Sequence, residues 1–153
     1  MSRLICGFIV LLGIAFATGV EAQQKPDFTG TWVVVTPADS AGQEQFVRHT
    51  PTTLSTGHAS EGDGHNASYK LDGSESRNEL GSHGQVIVTI SKAVWEGATL
   101  VITSSTTYSN GGKMDSKQIW SMDSEGRLVV EHTQTEAGQP TRSGTVVHTK
   151  KTT

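Results

Sequence analysis

The chain has 153 residues, of which 34% are hydrophobic, and it carries a formal net charge of −3. This length allows one domain and excludes a multidomain enzyme. The 12 basic residues are outnumbered by 15 acidic ones and form no basic patch. Binding to nucleic acid through bulk electrostatics is therefore not expected, because that mode needs clustered lysine and arginine.

The first 22 residues have the pattern of a secretory signal peptide. A short basic start (residues 1–3) precedes an apolar run (4–17) and a small-residue cleavage pattern (20–22). The alternative is a transmembrane anchor, but the apolar run is shorter than the roughly 20 residues that span a bilayer. We therefore expect cleavage after residue 22, a single domain over 23–153, a secreted or periplasmic location, and no membrane span after cleavage.

The only cysteine, Cys6, lies in this leader. After cleavage the chain would have no thiol. Disulfides, cysteine-based zinc sites and cysteine nucleophiles are then all excluded together.

Most of the remaining chain alternates apolar and polar residues with period two, which is typical of half-buried β-strands. Residues 28–35 (FTGTWVVV) are rich in aromatic and β-branched side chains and predict the first strand. Turn formers, including the Asn110-Gly111 pair that suits a tight hairpin, separate the later strands. Those strands are predicted at residues 85–91, 98–108, 113–122, 127–136 and 141–151.

The middle of the chain has weaker signals. Residues 45–71 contain three short strand patterns (FVRHT, TTLSTGH and ASYKL), whereas residues 72–84 are dense in turn formers and are predicted to be a loop. No stretch has the apolar spacing of a helix. We therefore predict an all-β fold, an antiparallel up-and-down meander of about 8–10 strands that closes into a barrel, since closure removes exposed strand edges.

The segment PDFTGTW (26–32) resembles the Gly-x-Trp signature on the first strand of lipocalins and fatty-acid-binding proteins, the calycin group of ligand-holding barrels. YKLDGSES (69–76), SKAVWEGATLVI (91–102) and QIWSMDSEGRLVVE (118–131) resemble small exported bacterial proteins with a lipocalin-like pattern. The resemblance implies a lipocalin-like β-barrel. It also implies that Trp32 packs across one barrel end, against a basic side chain from a late strand that Arg142 could supply.

The chain departs from this group on its last strand. Fatty-acid-binding proteins hold a carboxylate with an Arg-x-Tyr pair, and no such pair occurs here; His148 lies near the place of the tyrosine. Carboxylate binding by that route is therefore not supported. Whether the interior is a small polar cavity or is filled by its own side chains, as in many small barrels, stays open.

No motif predicts a metal site, a cofactor or catalysis. The six histidines lack the spacing of zinc ligands. No nucleophile elbow or acid–base pair can be named. We therefore expect no metal, no cofactor and no enzymatic activity.

His132 shares a strand face with Leu128 and Val130, which would carry it inward, although a register shift of one residue would bring Glu131 inward instead. An inward His132 is either a polar ligand contact or a satisfied core histidine. The candidate ligand-binding residues are His132, Trp120 and Tyr108.

The expected function is an exported lipocalin-like protein that binds a small hydrophobic or amphipathic molecule without catalysis. The alternative is an envelope or extracellular interaction module. In that case the barrel would be a scaffold, and loops such as 57–67 or 72–84 would recognise a protein or glycan.

Overall fold

A computed structural model describes residues 24–58, 66–82 and 85–152; the predicted signal peptide lies outside the described residues. The described chain is all-β apart from one short 3-10 turn at Ala38–Ser40. No described helix is long and apolar enough to cross a membrane. Its ten strands are β1 (Gly30–Thr36), β2 (Glu44–His49), β3 (Thr53–His58), β4 (Ala67–Lys70), β5 (Ser76–Ser82), β6 (Gln85–Glu96), β7 (Thr99–Thr107), β8 (Lys113–Met122), β9 (Leu128–Glu136) and β10 (Arg142–Lys150).

The strands form one antiparallel sheet in the order β4-β3-β2-β1-β10-β9-β8-β7-β6-β5. Every two consecutive strands except β4 and β5 are paired, and β1 also pairs with β10. This leaves β4 and β5 as the two edges of a nearly closed barrel. The predicted up-and-down meander is therefore confirmed.

The predicted loop over residues 72–84 is wrong for Ser76–Ser82, which form β5. This strand pairs along its whole length with β6, from Ser76 opposite Ser91 to Ser82 opposite Gln85. On its inner face Ser76 is buried and Leu80 is half-buried, so only one residue of that face is apolar. Backbone hydrogen bonds to β6 hold this strand in place. Such bonds need no apolar side chains, so they leave no alternating apolar pattern in the sequence.

Along β7 the inner face of the barrel changes from apolar to hydroxyl-bearing residues. On β7 the inward residues Leu100 and Ile102 are fully buried, and Ser104 and Thr106 follow on the same face. We call the two ends of the barrel the apolar end and the polar end accordingly. The core at the apolar end contains Phe28, Trp32, Val47, Leu54, Tyr69, Leu71, Ala93, Leu100, Ile102, Trp120, Leu128 and Val130.

The face of β6 that carries Val86, Val88 and Ile90 is the outer one. Val86 is 52% exposed, whereas Ser91 and Ala93, on the opposite face, are buried. The predicted period of two is confirmed on this strand. Its residues Val86, Val88 and Ile90 face outward because Ala93 and Trp95, on the opposite face, pack into the core.

Trp32 is buried at the apolar end, where its indole Nε1 donates a 2.8 Å hydrogen bond to the carbonyl of Phe28. The basic side chain over its ring is Lys150, whose ammonium lies 5.5 Å from the ring centroid. The assignment of Arg142 to this role is corrected, because Trp32 is in register with Lys150 whereas Arg142 lies at the other end of β10, opposite Gln134.

Candidate functional site

Two of the three residues proposed from sequence as ligand contacts lie near each other. Trp120 is buried in the core, edge-on to Phe28 at 5.7 Å, and its Nε1 donates to the Gln118 side chain at 2.9 Å. His132 lies opposite Gln118 on the neighbouring strand. Tyr108 lies apart from them, just beyond the end of β7, with its hydroxyl 3.5 Å from the sulfur of Met114.

The imidazole of His132 packs against Gly144. Leu128 and Val130 are buried and Glu131 is exposed, so His132 is on the inner face. It lies opposite Gly144, and a Cβ added to Gly144 would come within 2.7 Å of the His132 ring. Because Gly144 has no side chain, the His132 ring can occupy the space beside it.

The barrel wall is interrupted between β4 and β5, where side chains take the place of a backbone ladder. The Asn78 side chain accepts a 2.8 Å bond from the Ser68 N–H and donates a 3.1 Å bond to the Ser68 carbonyl. The Ser76 hydroxyl accepts a 2.8 Å bond from the Lys70 N–H. We call these four residues the β4–β5 clasp. It supplies partners for backbone groups that an edge strand would otherwise leave unpaired.

A cavity of about 170 Å³, which we call the β4–β5 opening, lies beside the clasp. Its wall comes from β4, β5 and β6, so it forms where the sheet stops pairing with itself. Because β5 was predicted to be a loop, no sequence pattern indicated that these residues lie together. The lining consists of Asn66, Ala67, Tyr69, Asn78, Glu79, Leu80 and Thr89.

The lining is partly apolar and its inward polar groups are uncharged. Burial raises the pKa of the Tyr69 phenol, an effect that a hydrogen bond with Thr56 opposes, so the phenol stays neutral at ordinary pH. The Thr89 hydroxyl is 3.0 Å from that of Thr106. Among the described residues of the lining Glu79 alone is charged, and its carboxylate pairs with Arg77 at 2.8 Å, with both side chains more than half exposed.

The polar interior continues along β6 and β7. The hydroxyls of Ser91 and Ser104 lie 2.8 Å apart, one row further in than the pair at Thr89 and Thr106. Such hydroxyls can turn to donate or accept. The inward residues of these two strands are Ile87, Thr89, Ser91, Ala93, Trp95, Leu100, Ile102, Ser104 and Thr106, and none of them carries a formal charge.

His148 is a second inward histidine, 4% exposed, with its Nδ1 3.4 Å from the carbonyl of Leu128. Burial lowers its pKa below the ordinary value of 6.5, an effect that the contact with Leu128 opposes. The folded barrel therefore favours the neutral ring.

We expect this histidine to make the barrel sensitive to acid. Below about pH 6.5 the unfolded chain binds a proton that the folded chain resists, so the contribution of His148 to stability is complete above that pH and is lost as the pH falls through the lower folded pKa. Urea unfolding between pH 5 and 7.5 should show this loss in the native chain and a smaller loss in His148→Gln, which keeps a polar group near the Leu128 carbonyl. Parallel curves for the two proteins would contradict the assignment.

A concavity of about 500 Å³ lies on the outer face of β6 to β9. Ser105, Asp115 and Thr135 are directly opposite one another across three strands of this face. The surface is open and hydroxyl-rich. Its four charged residues are Glu75, Lys92, Asp115 and Lys117, and Lys92 pairs with Glu75 at 3.5 Å.

Within residues 24–58, 66–82 and 85–152, no group of three or more histidine, cysteine, aspartate or glutamate side chains is placed to hold a metal ion. No protein-family model matches the sequence, and no curated protein compared with it is significantly similar. The function must therefore be inferred from the fold and from the geometry of the β4–β5 opening.

Proposed function

We propose that this chain is an exported, lipocalin-like barrel that binds a small, partly apolar and uncharged molecule at the β4–β5 opening, without catalysis. The cavity beside the clasp carries the proposal. Ala67, Leu80 and the ring of Tyr69 offer apolar surface there, and Asn78 and Thr89 offer polar groups that can orient a ligand.

The volume sets the size of the ligand. Pockets for drug-sized molecules measure roughly 300–1,000 Å³, whereas an engineered apolar cavity of roughly 150 Å³ takes up benzene. At about 170 Å³ the opening fits a single aromatic ring or a short alkyl chain with one polar group.

The lining also sets the charge of the ligand. A buried carboxylate is costly unless a cation or several hydrogen-bond donors compensate it. None of the described residues that line the cavity is a lysine, an arginine or a histidine. A neutral alcohol should therefore bind better than the corresponding carboxylate.

Ligand-observed NMR with benzyl alcohol and benzoate tests both points. We expect saturable binding of the alcohol and at least roughly tenfold weaker binding of benzoate. Ala67→Leu should fill the opening and weaken binding of the alcohol by roughly tenfold or more. Ala137→Leu, in the exposed β9–β10 turn, is the matched control and should have no effect. Equal binding to the native chain and Ala67→Leu would refute the proposed site.

Native mass spectrometry of protein purified from its own host gives an independent test. A small extra mass that disappears on denaturation and is absent from Ala67→Leu would identify the natural ligand class.

The outer concavity favours a second candidate function, an interaction module. Its surface is open and rich in hydroxyl groups, which suits an extended polar partner such as a glycan. In that case the material retained from the host would be macromolecular. It would be lost on Thr103→Arg, a change in the middle of the outer face, and kept on Ala67→Leu.

A further inference from the structure

A second groove lies at the apolar end of the barrel, away from the β4–β5 opening. It has a volume of about 320 Å³ and forms between the segment that precedes β1, the turn after β2 and the end of β6. It combines an aromatic ring, a carboxylate, an imidazole and an ammonium group. The lining consists of Lys25, Pro26, Asp27, His49, Thr50, Pro51 and Trp95.

The indole of Trp95 forms a fixed platform in this groove. Phe28, which is 0% exposed, stacks on it with the rings 7° from parallel and their centroids 5.8 Å apart. The ammonium of Lys25 lies over the ring, 5.4 Å from its centroid. Lys25 therefore marks a face of the indole that a cation can reach.

A carboxylate lies beside this platform. His49 is 5.7 Å from Trp95, centroid to centroid, and its Nδ1 lies 3.5 Å from Oδ1 of Asp27. Hydrogen bonds from Thr29 hold the pKa of Asp27 below its ordinary value, so the carboxylate is charged at neutral pH. Its side chain is 75% exposed and can be reached from solvent.

We propose that this groove is a binding site for a small organic ammonium ion and that Lys25 is its intramolecular occupant. The negative face of an indole attracts a cation, and the carboxylate of Asp27 adds to the attraction. The Lys25 ammonium is the cation already at the site. A primary or methylated amine would bind by displacing this side chain, which is long and flexible.

One half-buried aromatic wall and one exposed carboxylate support weak binding, with a Kd in the millimolar range. Lys25 competes with the external cation as part of the same chain, two residues from Asp27. Its effective concentration is therefore high, and its removal should strengthen binding of an external cation by roughly threefold to tenfold.

The test is a titration of the purified protein with tetramethylammonium chloride, followed by the NMR shift of the Trp95 indole N–H, which Trp95→Phe assigns. Sodium chloride at equal ionic strength and neutral tert-butanol serve as reference titrants. We expect a saturable shift with tetramethylammonium alone, a Kd roughly threefold to tenfold lower in Lys25→Gln, and an unchanged Kd in Lys113→Gln. Lys113 is an exposed lysine at the start of β8.

Asp27→Asn should raise the Kd in the Lys25→Gln background, because it removes the charge and keeps the size of the side chain. The proposal is overturned if neither the native chain nor Lys25→Gln shows a saturable shift, if tert-butanol gives the same shift, or if Asp27→Asn leaves the Kd unchanged. Binding of benzyl alcohol at the β4–β5 opening should not respond to Lys25→Gln, so the two sites can fail separately.

Discussion

Replacement of Phe28 by alanine is expected to lower the free energy of unfolding by about 3–5 kcal/mol, the usual cost of truncating a buried phenylalanine. Phe28 precedes β1 and closes the apolar end of the barrel. Its ring packs against Trp95, His49 and Trp120, each with a centroid distance of 5.7–5.8 Å. Three rings thus lose contact with their common neighbour when this one is removed, and rigid indoles close such a cavity poorly.

The backbone of the same residue ties this end to β1. Its carbonyl accepts the 2.8 Å hydrogen bond from the Trp32 indole, so a shift of residue 28 would also disturb Trp32. Urea unfolding followed by tryptophan fluorescence measures the loss. Trp32, Trp95 and Trp120 all lie in or against the core that Phe28 completes.

Phe46→Ala is the matched control. Phe46 lies on the outer face of β2 and is 42% exposed, so the same truncation should cost about 1 kcal/mol or less. If Phe28→Ala lowers the free energy of unfolding no more than Phe46→Ala does, the stacked rings add no more stability than an exposed ring. The core at the apolar end would then not depend on Phe28.

The strands that were predicted well carry their own signal in the sequence. β7 places Leu100 and Ile102 inward and mostly hydroxyl-bearing residues outward, so the sequence indicates both its period and its buried face. β5 has one apolar inward residue, Leu80, beside Ser76 and Asn78. It is held by pairing with β6, a long-range interaction that no local pattern reports.

Side-chain partners were harder to predict than strand faces. Trp32 was expected to meet a basic residue of the last strand, and it does, but that residue is Lys150. Choosing between Lys150 and Arg142 requires the register of β1 on β10, which places Trp32 opposite Lys150. His132 faces inward as its neighbours indicated. Its packing on Gly144 could be inferred only once the register of β9 on β10 was known.

The candidate site could not be predicted from the sequence, again because it depends on long-range pairing. The cavity exists because two edge strands, β4 and β5, come together without a ladder, and its residues come from three strands. Tyr69, Asn78 and Thr89 are unremarkable in sequence. A short strand with alternating polar side chains next to a turn is the only signal that could have indicated a barrel edge, and it is a weak one.

Removal of both clasp side chains, in the double variant Ser76→Ala and Asn78→Ala, is expected to lower the free energy of unfolding by about 2–4 kcal/mol, since each change leaves a backbone N–H of β4 without its partner. Ser76 is buried, so the Lys70 N–H should suffer more than the Ser68 N–H, which water can reach. Amide hydrogen exchange should accelerate at these two positions before it does so in β7.

Arg77→Ala is the control for the clasp, because Arg77 lies between the two residues on the exposed face of β5 and pairs only with solvent-exposed Glu79 among the contacts seen for its guanidinium. Its loss should cost about 1 kcal/mol or less. If the double variant unfolds at the same urea concentration as Arg77→Ala, the β4–β5 junction is held by something other than these side chains. If it is destabilised and also binds benzyl alcohol more loosely, the junction that closes the barrel is also the wall that shapes its cavity.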